Sequence, residues 1–92
     1  MRIVWTKTAA RGIERIYDYL VEFNPRAAAH VAETLRDEGE SLVNFPHRGR
    51  PVPGTTMRGL VSSYPYMIRY RVNGDEVVIL RVRHTSRQPT SP

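Results

Sequence analysis

Apolar and polar positions change period along this chain, dividing it into a helical first half and a stranded second half. Arg2-Ile3-Val4-Trp5 is a short β-type run that stops at Thr6, whose hydroxyl suits a helix N-cap. Beyond it Ile13, Ile16, Tyr17 and Leu20 recur at i, i+3, i+4 and i+7, so a helix with one apolar stripe is predicted to about Phe23. Arg11, Glu14, Arg15, Asp18 and Glu22 take its wet side, with Glu14, Asp18 and Glu22 in an acidic row. Asn24-Pro25 ends this helix and starts another: Asn caps, and proline at the first helical position gives up an N–H that has no helical partner anyway. The second helix carries Ala28, Val31, Ala32, Leu35 and Leu42 inward, Ala27 to Ala29 allow close approach, and Gly39 weakens its end. So short a link makes the two helices an antiparallel hairpin.

Phe45-Pro46 closes the helical half, and His47 to Thr56, with two prolines and two glycines, reads as an ordered exposed loop. Three strands are predicted after it, Met57–Ser62, Tyr66–Val72 and Glu76–His84, the last two joined through Asn73-Gly74 in a type I′ turn. Strict alternation puts Tyr66, Ile68, Tyr70 and Val72 on one face and Met67, Arg69 and Arg71 on the other. In the last strand it groups Val78, Leu80 and Val82 against Val77, Ile79, Arg81 and Arg83. With the helical hairpin over the apolar side, Arg69, Arg71, Arg81 and Arg83 are expected on an open face. The predicted class is α+β, an N-terminal strand and helical hairpin packed on a twisted, mainly antiparallel four-stranded sheet. One domain is expected over 1–87, with Gln88–Pro92 as a frayed tail.

Composition changes this picture mainly through charge. The apolar share of 40% and charged share of 25% are those of an ordinary globular domain and argue against disorder. No apolar run approaches the roughly 20 residues that span a bilayer, so no membrane role is expected. With no cysteine there is neither a disulfide framework nor a thiolate metal site, which fits a reducing cytoplasm. The formal net charge of +5 is uneven, because only Asp75 and Glu76 are acidic beyond Glu40 while Arg48, Arg50, Arg58, Arg69, Arg71, Arg81, Arg83 and Arg87 all lie there. All the bases but Lys7 are arginine, whose planar guanidinium suits bidentate pairing with carboxylate or phosphate. A GC-rich genome would also raise Arg over Lys, but would not produce the asymmetry between halves.

The residues also carry a resemblance, spread over nearly the whole chain. They are Trp5-Thr6, Ala9, Ile13 to Ile16, Tyr17-Asp18-Tyr19, Asn24-Pro25-Arg26-Ala27-Ala28, Leu42, Phe45-Pro46, Gly49-Arg50 and Pro53-Gly54-Thr55 before Arg58-Gly59-Leu60. Tyr64-Pro65-Tyr66, Tyr70-Arg71-Val72 and Val78-Ile79-Leu80-Arg81-Val82-Arg83-His84 with Arg87 complete the pattern. In order and spacing these pieces resemble the RelE/ParE superfamily, the toxins of bacterial type II toxin–antitoxin pairs. RelE-like members are ribosome-dependent RNases with a lysine-rich strand, an arginine early in the next strand, and a final basic segment followed by tyrosine or histidine. Here that first strand has only Arg58, the position after Tyr66 is Met67, and no aromatic residue follows Arg87. The chain looks more like ParE, the plasmid-stabilisation toxins, whose members share the fold but act on DNA gyrase and block religation.

The resemblance implies a cytoplasmic toxin, hetero-oligomeric with a cognate antitoxin whose acidic tail meets the arginines, and with DNA gyrase as target. The alternatives are an mRNA endonuclease acting at the ribosome through Arg58, His84 and Arg87, or a degenerate homologue that only binds antitoxin. Target or antitoxin contacts are expected from Arg58, Arg69, Arg71, Arg81, Arg83, His84 and Arg87. His84 is the one acid/base candidate beside the arginines, although a histidine ending a strand is more often structural. Arg58 could equally point into the concave surface or pair with the acidic row of the first helix. Trp5, Tyr64, Tyr66 and Tyr70 read as packing aromatics, and His30 and His47 lack ligand spacing, so neither metal nor cofactor is expected.

Overall fold

The computed structural model describes residues 1–85. In chain order the elements are β1 (Arg2–Trp5), α1 (Lys7–Val21), α2 (Pro25–Glu40), a 3-10 turn (Ser41–Val43), β2 (Arg50–Pro51), β3 (Met57–Val61), β4 (Tyr66–Asn73) and β5 (Glu76–His84). The strands form one sheet in the order β1-β5-β4-β3-β2, with β1 parallel to β5 and the other pairs antiparallel. The expected α+β class holds, with one more strand than predicted: the loop after Phe45 contributes the two-residue β2. Arg87 and the expected tail lie outside the described residues. Among the described residues no helix is long and apolar enough to cross a membrane.

Local chemistry sets the helix starts where the sequence placed them. Thr6 caps α1 by accepting from the Ala9 N–H at 3.1 Å, and Asn24 caps α2 by accepting from the Ala27 N–H at 3.1 Å. The inward stripe of α1 is Ala9, Gly12, Ile13 and Ile16, which leaves Tyr17 exposed, contrary to the i, i+4 expectation. Gly12 permits this packing: a Cβ built there would lie 2.5 Å from the Val82 carbonyl oxygen, so α1 rests directly on β5. Gly39 does more than weaken α2, since its missing side chain makes room for the Trp5 ring, whose Nε1 donates to Glu40 at 2.8 Å. Both helices pack on the sheet face that carries Leu60, Tyr66, Ile68, Tyr70, Val77, Ile79 and Val82.

The last strand departs from strict alternation. Arg69 pairs with Arg81 but the next residue, Tyr70, pairs with Ile79, so Leu80 is an extra residue in β5. Val77 and Ile79 before this bulge and Val82 after it therefore all face the core. The bulge corrects the predicted grouping of Val78, Leu80 and Val82, and it is what lets Arg81 and Arg83 avoid the side that buries Ile79. Thr6 secures it, because the same hydroxyl that caps α1 donates toward the carbonyls of Ile79 at 2.8 Å and Leu80 at 3.2 Å. The β4–β5 turn also differs from expectation. Asn73 pairs with Glu76 and only Gly74 has positive φ, +59°, whereas a type I′ turn needs positive φ at both central residues.

Candidate functional site

Register fixes what the face opposite the helices displays. In one transverse row Arg50 pairs with Gly59, Gly59 with Arg69, and Arg69 with Arg81. A second row runs Met57, Arg71, Val78 and Val4, and a third runs Val61, Met67 and Arg83. Paired residues share a face, so arginines and aliphatic side chains interleave on the same surface. Its one strand carboxylate, Glu76 at the sheet end, is ion-paired with Arg2. No acidic residue occurs from Ser41 to Gly74.

The centre of this face concentrates like charge. Arg69, Arg81 and Arg83 line one depression together with Met57 and Leu80. Burial lowers the Arg69 pKa from the ordinary arginine value, and the charges of Arg83 and Arg81 lower it further. Among the described residues the Arg69 guanidinium reaches only the Met67 sulfur, at 3.5 Å, and its buried Nε has no hydrogen-bond partner. Arg71 and Arg81 are exposed and make no side-chain hydrogen bond or ion pair with the described residues. Like charges directly opposite on paired strands are destabilising, so the Arg69–Arg81 pair favours an anion beside it.

The other predicted site residues are placed elsewhere. Arg58 pairs with Tyr70 and so belongs to the helix side of the sheet. Its Nη1 donates to the carbonyl oxygens of Gly49 at 2.7 Å and His47 at 3.3 Å, which is neither the concave patch nor an ion pair with α1. His84 pairs with Tyr66, also on the helix side, and meets its ring edge-on with centroids 5.2 Å apart. The partners of Arg58 and His84 stand four positions apart on β4, about 13 Å along a strand, and one strand spacing lies on either side. Of the three side chains named for RNA cleavage, the two among the described residues, Arg58 and His84, therefore do not converge. Among the described residues no group of three or more His, Asp or Glu side chains could hold a metal.

One feature escaped sequence reasoning. The wholly buried Tyr70 hydroxyl accepts from the Gly49 N–H at 2.9 Å and donates to the Pro46 carbonyl at 2.8 Å. With the two bonds from Arg58, it pins the segment from Pro46 to Gly49 at the sheet edge. A Cβ at Gly49 would sit 2.8 Å from the Tyr70 ring. The Gly49-Arg50 pair is visible as a motif, but the hydrogen-bond partners of Gly49 come from strands 9 and 21 residues away in sequence.

Comparison with known proteins agrees with this architecture. The chain is 41% identical to Toxin RelE2 of Caulobacter vibrioides over 86 residues, covering 94% of this chain and 97% of that one. It is 38% identical over 88 residues to the putative toxin Y4kP of Sinorhizobium fredii, covering 95% of this chain and 91% of the relative. A solved chain from the chromosomal ParDE toxin–antitoxin system of P. aeruginosa superposes with a TM-score of 0.84 at 29% identity, covering 94% of this chain and 97% of that one. The family model described as the ParE toxin of the type II toxin–antitoxin system parDE matches residues 3–89. With helical hairpin, mixed sheet and sequence all in agreement, the chain belongs to the ParE toxin family of type II toxin–antitoxin systems.

Proposed function

We propose that this toxin acts on DNA gyrase in the bacterial cytoplasm, and that a cognate antitoxin silences it by laying an acidic segment over the arginine face. The carrying observation is the crowding of Arg69, Arg81 and Arg83 around a buried, unpartnered guanidinium nitrogen, while the candidate acid/base His84 belongs to the opposite side of the sheet. Phosphodiester cleavage needs proton transfer beside the cations that hold the phosphate. A face of arginines with aliphatic neighbours instead suits gripping an anionic partner surface, with steering and specificity from charge complementarity. An unfolded acidic tail ordering on this face would supply carboxylates where like charges now oppose one another.

The test is a supercoiling and cleavage assay with purified gyrase and antitoxin-free toxin. The expected result is inhibited supercoiling or trapped cleaved DNA, relieved by antitoxin. Discrete cuts in translated codons on primer extension, with gyrase unaffected, would overturn the gyrase reading in favour of ribosome-dependent mRNA cleavage. Unimpaired growth on strong induction would overturn both and leave a homologue that only binds antitoxin.

A further inference from the structure

We propose that the acidic segment covering the arginine face continues around the β2 edge and seats an apolar side chain against Phe45 and Pro46. This rests on the reading that the face takes a carboxylate-bearing protein segment, and it adds a second, apolar subsite and a direction of travel.

The geometry supplies the path. The row Arg81, Arg69, Gly59, Arg50 runs across the strands, three strand spacings or about 14 Å, the reach of about four extended residues. Gly59 has no side chain, and the Met67 sulfur and Arg69 Nε lie over it, 3.2 and 3.9 Å from where a Cβ would be. Arg50 ends the row on the outermost strand and is the residue next to the pinned segment. Beyond it a groove is lined by Phe45, Pro46, His47 and Arg48. Phe45 is 62% exposed there, although the backbone that follows it is held by Tyr70 and Arg58. Arg48 is itself steadied by donating to the Ser41 hydroxyl at 3.1 Å.

An exposed aromatic on a fixed backbone pays little ordering entropy on binding, which is the property of an interface anchor. Arg48 and Arg50 follow it, and no acid occurs from Ser41 to Gly74, so charge complementarity favours the same acidic occupant as the sheet face. The arginine contacts weaken with salt, whereas apolar contact at Phe45 does not. The subsite would hold the partner in place under conditions that screen the rest.

The test uses the full chain and a synthetic extended peptide with glutamates in its first half and one leucine after them, beside a control with serine for leucine. Anisotropy titrations at low and high salt measure affinity, and amide shift mapping locates the peptide. We expect the leucine peptide to bind about ten-fold more tightly than the control, with Phe45→Ser removing that advantage and shifts at both Arg69 and His47. Arg69→Gln should instead flatten the salt dependence for both peptides. Equal affinities for the two peptides, or shifts confined to the sheet, would overturn the apolar subsite alone. Failure of either peptide to saturate the protein at low salt would overturn the acidic-segment reading beneath it as well.

Discussion

Replacing Arg69 with methionine should make this protein more stable, which is the reverse of the usual outcome for a half-buried residue. Arg69 faces Arg81 directly across the β4–β5 pair, Arg83 adds to the same field, and the Arg69 Nε is buried without a partner. Two guanidinium charges about 6 Å apart in a water-like dielectric repel by about 0.7 kcal/mol, roughly halved at physiological ionic strength. An unsatisfied buried donor costs about 1 kcal/mol or more. Methionine keeps an unbranched chain beside Met67 and Gly59 while removing both terms, so Arg69→Met should gain about 1–2 kcal/mol, or about 5–10 °C in Tm for a domain of this length. Urea unfolding at low salt and at high salt measures it. The wild type should gain stability as salt screens the cluster, the variant much less, and the exposed Arg71→Met should change little in either. Equal or lower stability of Arg69→Met at low salt, or a wild type indifferent to salt, would refute the claim that these arginines sit in mutual strain. The same variant should bind an acidic partner less well, a trade of affinity for stability.

Three further substitutions test the supports around the site. Tyr70→Phe leaves the Gly49 N–H and Pro46 carbonyl without their buried partner, so it should cost about 2 kcal/mol and speed hydrogen exchange at Gly49 specifically. Gly12→Ala drives a methyl into the Val82 carbonyl and should destabilise by about 1–3 kcal/mol in chemical denaturation as α1 lifts from β5. Thr6→Ala removes the α1 cap and the hydroxyl that serves the bulge, and Thr6→Ser should restore most of the expected loss of about 2 kcal/mol.

Features written in local sequence were legible. Thr6 and Asn24-Pro25 announce helix starts because capping uses groups within three residues, and Tyr66, Ile68 and Tyr70 announce a half-buried strand because β4 keeps an unbroken period of two. The central arginines could be assigned to one open face, yet by an alternation that β5 does not keep. A bulge depends on the partner strand and on Thr6, which is 73 residues away from Ile79, and nothing near Leu80 announces it. Arg58 was ambiguous for the same reason: a guanidinium takes whichever acceptors the fold brings, and here they are loop carbonyls. The role of Gly12 has no local signature, because the carbonyl it accommodates belongs to the last strand.

The extra residue at Leu80 shows which change of length this strand can absorb. Deleting Leu80 would make Ile79 and Arg81 consecutive and leave the ladder regular, with Arg81 and Arg83 still on the open face and Val82 still in the core. Straightening β5 around a retained Leu80 would instead turn both arginines toward the hydrophobic interior and Val82 toward water. A relative with a one-residue alignment gap at this point can therefore present the same surface from an unbulged strand.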